Sequence, residues 1–492
     1  MRKVLFSTLL WILIFAGIFL RLYLLFHKEI TSDEVNYFLA ALQYRFRELI
    51  VGDYWIKDNP PFFTMFQRFI LIASPTLLAL RLVNFIFGLG TIAALYKISS
   101  LILRKVNNLL LPALFSISAF FVRTGWEAKP YPMALFLQIV SFYFLLKSFR
   151  EGGKRNIFLV SLFASLSLYA SYTSALYIFS LFLFIVIAFW INKEHFRSGM
   201  RALALTVLFS IPIVFLLFKN FSLFGTLTPN FGIRGENFWE ISTGYQFFYN
   251  QRLGTVLKGL FLLDIWALLF TLRGLIRKTA LPESRLFVGL TVLSNILVVG
   301  FLKKFGYHFT SNLFNFSAIS LLIIFLFWFQ DAKRKSVLLA LLFILLVTQN
   351  VFQSGYFGNK NNNPNQVVTN SEIRNFLVTN CKPDTLFVVN SADFNFYPLA
   401  YYYRSAYDLS PKSPFWLGSG CLEHRFVIID NKFGIQEESV AKDIGQVDTL
   451  YFVLLSRNLE GGRLYQYLNL CKDKKCIFVD AVKGTADVPN YQ

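Results

Sequence analysis

Residues 4–26 read VLFSTLLWILIFAGIFLRLYLLF, and this stretch decides the class of fold. A helix needs about 20 apolar residues to span the hydrocarbon core of a bilayer, and lipid admits only helices and closed barrels. The stretch is too long and continuous for a barrel strand, so it predicts a membrane-spanning helix. Arg2-Lys3 before it is typical of a signal peptide, but Arg21 and the lack of a clear small-x-small cleavage motif favour a retained anchor.

Composition places the whole chain in the same class. The 492 residues are 55% hydrophobic and only 15% charged, with 58 phenylalanines, whereas a soluble domain of this size carries more surface charge. The net charge of +20 could indicate a nucleic-acid partner. However, most basic residues lie in short loops between apolar runs, where they set the orientation of the spans. We therefore expect a multi-pass protein of the plasma (inner) membrane that binds no nucleic acid.

Clusters of basic residues orient the spans, because cytoplasmic loops are enriched in Lys and Arg. Placing all of them inside gives one consistent path of about 11 spans, with the N-terminus cytoplasmic and the C-terminal tail outside. The clusters are Arg2-Lys3, Arg104-Lys105, Arg150 to Arg155, Lys193 to Arg201, Arg273 to Lys278 and Lys333 to Lys335. The predicted spans are 4–26, 81–103, 108–124, 132–149, 156–172, 174–191, 202–219, 255–272, 285–302, 309–329 and 336–352.

Two apolar pieces of the first outer loop, residues 27–80, are predicted to lie along the membrane surface. Phe62 to Ala73 is too short for a span and follows Pro60-Pro61. Counting it as a span would also break the charge alternation of the later loops. Val35 to Phe46 is amphipathic and is the second such piece.

The composition changes after residue 352. Residues 353–370 predict an Asn-rich linker, and residues 371–492 predict an extracytoplasmic domain large enough for its own core. Strands are predicted at 385–390, 425–430, 449–455 and 476–482, and short helices at 396–403 and 439–444. The predicted fold class is therefore mainly α: a polytopic helical membrane domain, residues 1–352, of about 11 transmembrane helices with a C-terminal α/β domain.

All the cysteines lie in this tail. An even set in a domain that charge places outside predicts disulfides. The preferred pairing is Cys381 with Cys421 and Cys471 with Cys476, although four cysteines allow three pairings. Free thiols are the alternative. A zinc site is disfavoured, because the CxxC spacing is missing and His424 stands alone.

The polar residues that could do chemistry collect in the outer loops. Asp33-Glu34 follows the first span, and Asp58-Asn59-Pro60-Pro61 comes later in the same loop. Gly125 to Tyr131 and Lys303 to His308 are shorter loops, and the latter is basic on the outer side against the orientation rule. This basic loop indicates either an anionic head group as a partner or lysines that snorkel at a helix end. Asp33 could also be a helix N-cap, and Asp58 a turn cap.

The order of these motifs resembles the polytopic glycosyltransferases with the C-type fold, especially the branch of protein O-mannosyltransferases and lipid A aminoarabinose transferases. The resemblance covers residues 4–350. The chain departs from the family pattern at Asn59, where members often have His or Arg, and at Lys129, where members often have Arg. The matching motifs are Asp33-Glu34 with Tyr37, Asp58 to Phe62, Arg81-Leu82-Val83-Asn84 with Phe87-Gly88, Lys129-Pro130-Tyr131, Ser171 to Ala175, and Lys303-Lys304 with Tyr307.

The resemblance implies an inverting transfer of a sugar from a polyprenyl-phosphate carrier to a lipid, glycan or protein acceptor at the outer membrane face. Such a transfer needs a carboxylate to take the acceptor proton, and cations or a metal to hold the leaving phosphate. Asp33 is the predicted catalytic base, and Lys129, Lys303 and Lys304 are the predicted phosphate clamp. The predicted substrate-binding residues are Glu34, Tyr37, Asp58, Arg123, Lys129, Tyr131, Lys303, Lys304, Tyr307 and His308.

The sequence leaves open whether the protein uses a metal cofactor, and it leaves two other classes of function as alternatives. A divalent cation, Mg²⁺ or Mn²⁺, would suit Asp33, Glu34 and Asp58 by ligand hardness. A transporter would place ionisable residues mid-span, but Asp264 is the only acidic residue within a predicted span. A non-catalytic scaffold or carrier-lipid-binding protein could share the fold without its chemistry.

Overall fold

The computed structural model describes a large part of the first 224 residues and shorter segments beyond them. The described residues are 2–27, 34, 37–38, 40–41, 44–51, 60–74, 76–102, 108–118, 121–122, 125–151, 153–191, 193–224, 287–291, 316, 319–320, 322–324, 326, 385–391, 426–430, 448–454 and 475–480. They fall into two compact units. Residues 1–26 and 40–353 belong to the first unit, and residues 27–39 and 354–492 to the second.

The first unit is helical wherever long elements are described. Its helices are α1 Arg2–His27, α2 Phe46–Val51, α3 Pro61–Ala73, α4 Leu77–Ile102, α5 Leu110–Ile117, α6 Tyr131–Glu151, α7 Lys154–Ala170, α8 Ala175–Ile191 and α9 Lys193–Phe224. Within the described residues, four helical segments are long and apolar enough to cross a bilayer: Val4–His27, Leu78–Ile102, Tyr131–Glu151 and Gly199–Leu216. The chain is thus mainly helical and multi-pass, as its sequence predicts.

Most predicted spans before residue 220 correspond to a helix in the structure. The exception is the predicted span 108–124, because α5 ends at Ile117 and Ser118 adopts an extended conformation with φ −68° and ψ 122°. The predicted spans 285–302 and 309–329 are described only in part, as helical segments within 287–291 and 316–326. The predicted spans 255–272 and 336–352 lie outside the described residues.

The boundary predicted between the spans 156–172 and 174–191 is confirmed. A single 3-10 turn, Tyr172–Ser174, separates α7 from α8. The Ser171 side chain accepts a hydrogen bond from the Thr173 backbone N–H at 3.4 Å, which caps this turn. Two helices therefore meet here instead of one continuous helix.

Serine side chains join the helices of the first unit. Ser141 of α6 donates to the Val160 carbonyl of α7 at 2.9 Å. Ser161 of α7 in turn donates to the Ala202 carbonyl of α9 at 2.8 Å. Small polar residues let membrane helices approach closely and bond across the contact. These bonds explain how α7 packs between α6 and α9.

An aromatic cluster fills the core behind these helices. The rings of Phe142 and Phe287 stack with centroids 5.1 Å apart, and Tyr177 meets Phe316 edge-on at 4.7 Å. Both arrangements are preferred by aromatic pairs. The cluster fixes α6 and α8 against helical residues from much later in the chain.

Helix α3 has one buried side and one exposed apolar side, as expected for the surface helix predicted at Phe62 to Ala73. Phe63, Gln67 and Leu71 are buried, whereas Phe69 and Ile72 are 67% and 70% exposed. A short turn at Ser74 and Thr76 connects α3 to the long apolar helix α4. Because α4 is long enough to enter the bilayer at this point, the exposed side of α3 is suited to the membrane surface.

The second unit contains a parallel sheet. Its strands are β1 Thr385–Ser391, β2 Phe426–Asp430, β3 Thr449–Leu454 and β4 Lys475–Asp480, in the order β2-β1-β3-β4. Thr385 pairs with Thr449, and Thr449 pairs with Lys475.

The positions of the four predicted strands are confirmed to within a few residues. Parallel neighbours need crossover connections. The predicted helices at 396–403 and 439–444 would provide two of these, but they lie outside the described residues. The domain boundaries at 352 and 370 stay a prediction.

The disulfide prediction is not supported. Only Cys476, in β4, falls within the described residues, and no disulfide lies among them. Cys381, Cys421 and Cys471 lie outside that part of the chain.

Candidate functional site

The structure describes only some of the predicted site residues. Both Lys129 and Tyr131 belong to the first unit: Lys129 lies in the turn before α6, and Tyr131 is the first residue of that helix. Glu34 and Tyr37 are helical and buried, and they belong to the second unit. The other predicted site residues lie outside the described part of the chain. They are the predicted base Asp33 and the residues Asp58, Arg123, Lys303, Lys304, Tyr307 and His308.

The best-defined polar site in the first unit is the 125–130 loop, Gly125-Trp126-Glu127-Ala128-Lys129-Pro130. Lys129 Nζ lies 2.8 Å from Glu127 Oε2, and the two side chains are only 13% and 7% exposed. An ion pair with so little solvent around it is screened far less than a surface pair. The loop therefore presents a fixed ammonium and a fixed carboxylate side by side.

Glu127 is the site residue that the sequence motifs missed. It stands two residues before Lys129 in a turn between two apolar segments. An acidic residue beside a predicted phosphate-binding cation would have been a usable signal, because opposite charges this close in sequence can pair. In the structure, the Lys129 ammonium pairs with this carboxylate.

Two buried carboxamides hold the backbone of the loop. Asn84 of α4 donates through Nδ2 to the carbonyls of Glu127 and Lys129, the latter at 2.7 Å. Gln67 of α3 donates through Nε2 to the Ala128 carbonyl at 3.2 Å. A turn leaves carbonyls without helical donors, and buried carbonyls need partners. Three consecutive carbonyls of this loop obtain them from two different helices.

Arg81 connects the loop to the end of α1. Its guanidinium lies over the Trp126 ring, with Cζ 4.8 Å from the centroid. The same group donates to the Leu25 carbonyl at 3.1 Å. Arg81 and Asn84 are three residues apart on α4 and so share a face of the helix. The motif Arg81 to Asn84 therefore forms the surface of α4 against which this loop packs.

Arg21 supports the start of the loop from α1. It is fully buried and donates to the carbonyls of Ser116 at 2.6 Å and Phe115 at 3.1 Å. These carbonyls lie in the last turn of α5, where helical donors run out. A Cβ on Gly125 would lie 3.0 Å from Arg21 Nε, so glycine lets the loop approach this guanidinium.

This arrangement can hold an anion or a polar group at one end of the helices. The Lys129 ammonium offers charge-assisted hydrogen bonds to phosphate oxygens, and the Glu127 carboxylate offers acceptors. Within the described part of the chain, no three His, Cys, Asp or Glu residues come together as a metal site. A site that includes Asp33 or Asp58 is outside what the structure describes.

Fold and site together define a polytopic, mainly helical membrane protein with a buried charged loop between its helices. The family model described as dolichyl-phosphate-mannose-protein mannosyltransferase matches residues 58–218. This segment includes α3, α4, the 125–130 loop and most of α9. The match confirms the resemblance to the polytopic membrane glycosyltransferases with the C-type fold that the sequence motifs predict.

Several solved structures resemble the chain in part. The oligosaccharyltransferase AglB from Archaeoglobus fulgidus, in complex with an inhibitory peptide and a dolichol-phosphate, aligns with a TM-score of 0.47 at 12% identity. That alignment covers 78% of this chain and 62% of AglB. ArnT from Cupriavidus metallidurans, bound to undecaprenyl phosphate, aligns with a TM-score of 0.44 at 13% identity, over 73% of this chain and 66% of ArnT.

The chain thus spans less than two thirds of the length of these neighbours. At these scores, the alignments transfer neither an activity nor a ligand to the chain. None of the curated proteins matches it.

Proposed function

We propose that the protein transfers a sugar from a polyprenyl-phosphate carrier to an acceptor at the outer face of the membrane, with inversion at the anomeric carbon. The observation that carries the proposal is the buried Lys129–Glu127 pair, which lies inside the segment that matches the mannosyltransferase family. A cation held at the end of apolar helices suits a lipid whose phosphate lies at the membrane surface and whose tail lies in the bilayer.

The chemistry follows from the requirements of an inverting transfer. An acceptor hydroxyl attacks the anomeric carbon on the face opposite the phosphate, and its proton passes to the Asp33 carboxylate. The bond between the anomeric carbon and the phosphate oxygen breaks, and its electron pair stays on the phosphate. Lys129, together with Lys303 and Lys304, stabilises the charge that develops there.

Glu127 has a supporting role in this scheme. Its carboxylate keeps Lys129 in one position before the carrier arrives, so little side-chain freedom remains to be lost on binding.

A divalent cation at Asp33, Glu34 and Asp58 would add a further charge against the phosphate. The acceptor hydroxyl belongs to a lipid, a glycan or a protein.

The test is sugar transfer by the purified, full-length protein in lipid nanodiscs, with undecaprenyl-phosphate-linked sugars as donors. Asp33→Asn keeps the size of the side chain but removes the base, so transfer is expected to fall by about 10²- to 10⁴-fold. Asp331→Asn, in a loop that the basic clusters place in the cytoplasm, is the matched control. Transfer by Asp33→Asn at the wild-type rate would contradict the proposal and leave Asp33 as a helix cap.

A further inference from the structure

Buried side-chain amides hold the backbone of the 125–130 loop. Its three carbonyls at Glu127, Ala128 and Lys129 all accept from side-chain amides, and both amides are 1% exposed. Gln67 belongs to α3 and Asn84 to α4. Burying an amide costs free energy unless its hydrogen bonds are made. Leucine or methionine would fill these positions without that cost.

We propose that Gln67 and Asn84 are positioning residues that set the geometry of the Lys129–Glu127 pair for the carrier phosphate. The inference rests on the proposed function for the role of Lys129, and on the described contacts for the role of the amides. Neither amide touches the substrate in this scheme. Each acts through the loop backbone.

The geometry of Asn84 explains why the pair is fixed. One amide nitrogen bridges the carbonyls of Glu127 and Lys129, and the Lys129 N–H also donates to the Glu127 carbonyl at 2.8 Å. Bonds from a single atom to residues 127 and 129 limit the distance between these two residues. That distance determines whether Lys129 Nζ and Glu127 Oε2 can meet at 2.8 Å.

Gln67 holds the 125–130 loop from a second helix. It binds the intervening carbonyl of Ala128 from α3, so the loop cannot rotate about the Asn84 contact without losing this bond. Helix α3 also carries exposed Phe69 and Ile72 on its other side, which suit the membrane surface. The Gln67 bond therefore fixes the depth of the loop relative to α3, a helix at the membrane surface, where the carrier phosphate lies in this scheme.

The first test measures the loop directly. Gln67→Met and Asn84→Leu remove the donors and keep side chains of similar shape, and Gln138→Met is the matched control. Gln138 is also buried, but it donates to Ser174 Oγ at 2.8 Å in another part of the unit. Hydrogen–deuterium exchange of peptides that contain residues 125–131 is expected to accelerate by about tenfold in the two loop variants only. Unchanged exchange in both would overturn the proposal.

The second test separates positioning from general stability. The Kd for undecaprenyl phosphate is measured in nanodiscs for each variant, alone and combined with Lys129→Met. If the amides act through Lys129, Gln67→Met and Asn84→Leu weaken binding in the parent but cause no further loss once Lys129 is replaced. Equal losses in both backgrounds would overturn the proposal, because the amides would then affect binding by another route.

The two tests also separate this inference from the proposed function. If Lys129→Met binds the carrier as well as the parent, the clamp assignment in the proposed function is wrong. The exchange measurement then decides whether the amides hold the loop. Using two variants on different helices guards against one of them failing to fold, and size-exclusion profiles identify such a failure.

Discussion

Lys129 Nζ lies 2.8 Å from Glu127 Oε2, and the carbonyls of these two residues share one hydrogen-bond donor, Asn84 Nδ2. Backbone and side-chain contacts thus fix the same pair. A partly buried ion pair needs this support, because desolvation opposes the Coulomb attraction and good geometry has to offset it. The pair is an expected point of contact for a phosphate, and both of its charges can be changed separately.

Glu127→Gln and Lys129→Met should both weaken carrier binding, but by different amounts. Replacing Glu127 removes the carboxylate that holds Lys129 in place, so the affinity for undecaprenyl phosphate should fall by about 3-fold. Replacing Lys129 removes a charge-assisted contact, so the affinity should fall about tenfold or more. Titration of nanodisc-embedded protein measures both. Tighter binding by Glu127→Gln would mean that its carboxylate competes with the phosphate for the ammonium and does not position it.

The contact between Arg81 and Trp126 should contribute to stability through stacking as well as charge. Lysine at position 81 keeps the charge but loses the planar guanidinium, so Arg81→Lys should lower the melting temperature. Trp126→Leu removes the ring and should do the same, whereas Trp126→Phe keeps a ring and should cost less. A double-mutant cycle should give a coupling of about 0.5–2 kcal/mol. A coupling of zero would show that the two groups are neighbours without a mutual interaction.

Gly17→Ala should disturb the contact between α1 and α5. A Cβ at this position would lie 2.2 Å from the Ser116 carbonyl oxygen, so the helices would have to separate. Overpacking of this kind costs about 1–3 kcal/mol, and it would also strain the bonds that Arg21 makes to the end of α5. Gly88→Ala is the control, because the nearest atom to its Cβ would be 4.0 Å away. Thermal unfolding in detergent compares the two, and equal melting temperatures would contradict this packing argument.

The orientation predicted from basic loops can be tested on whole cells. In a cysteine-free background, Asn361→Cys should react with a membrane-impermeant maleimide, and Lys154→Cys should react only after the cells are permeabilised. Lys154 opens α7 after a turn in which Gly153 has a φ of 93°. The reverse labelling pattern would place the 125–130 loop in the cytoplasm and remove the proposed site from the outer face.

The cysteines of the tail give a separate test of the same orientation. If residues 371–492 face an oxidising compartment, the sequence predicts disulfides there, and non-reducing mass mapping tests the preferred pairing of Cys381 with Cys421 and Cys471 with Cys476. Four free thiols in correctly exported protein would refute the pairing. They would leave the parallel sheet intact, since its register depends on backbone pairing.

Much of the local structure could be predicted from the sequence. The apolar run at residues 4–26 predicts α1, and the β-branched segment at residues 385–390 predicts β1. Both signals are local, because a helix in lipid and a buried strand are each determined by a short stretch of apolar residues. The boundary predicted between the spans 156–172 and 174–191 is confirmed as well. Within the predicted span at 108–124, α5 ends at Ile117, and nothing in an apolar run reveals the extended residue at Ser118.

The sequence by itself determined that the chain enters the membrane many times, where its charged loops lie, and that Lys129 is a candidate site residue. Only the tertiary structure decided that Lys129 pairs with Glu127 and that Gln67 and Asn84 hold both. Those hydrogen bonds join residues 43 to 61 positions apart. Apolar periodicity is a property of neighbours along the chain, whereas the partner of a buried carbonyl is chosen by how helices pack, which no short stretch of sequence contains.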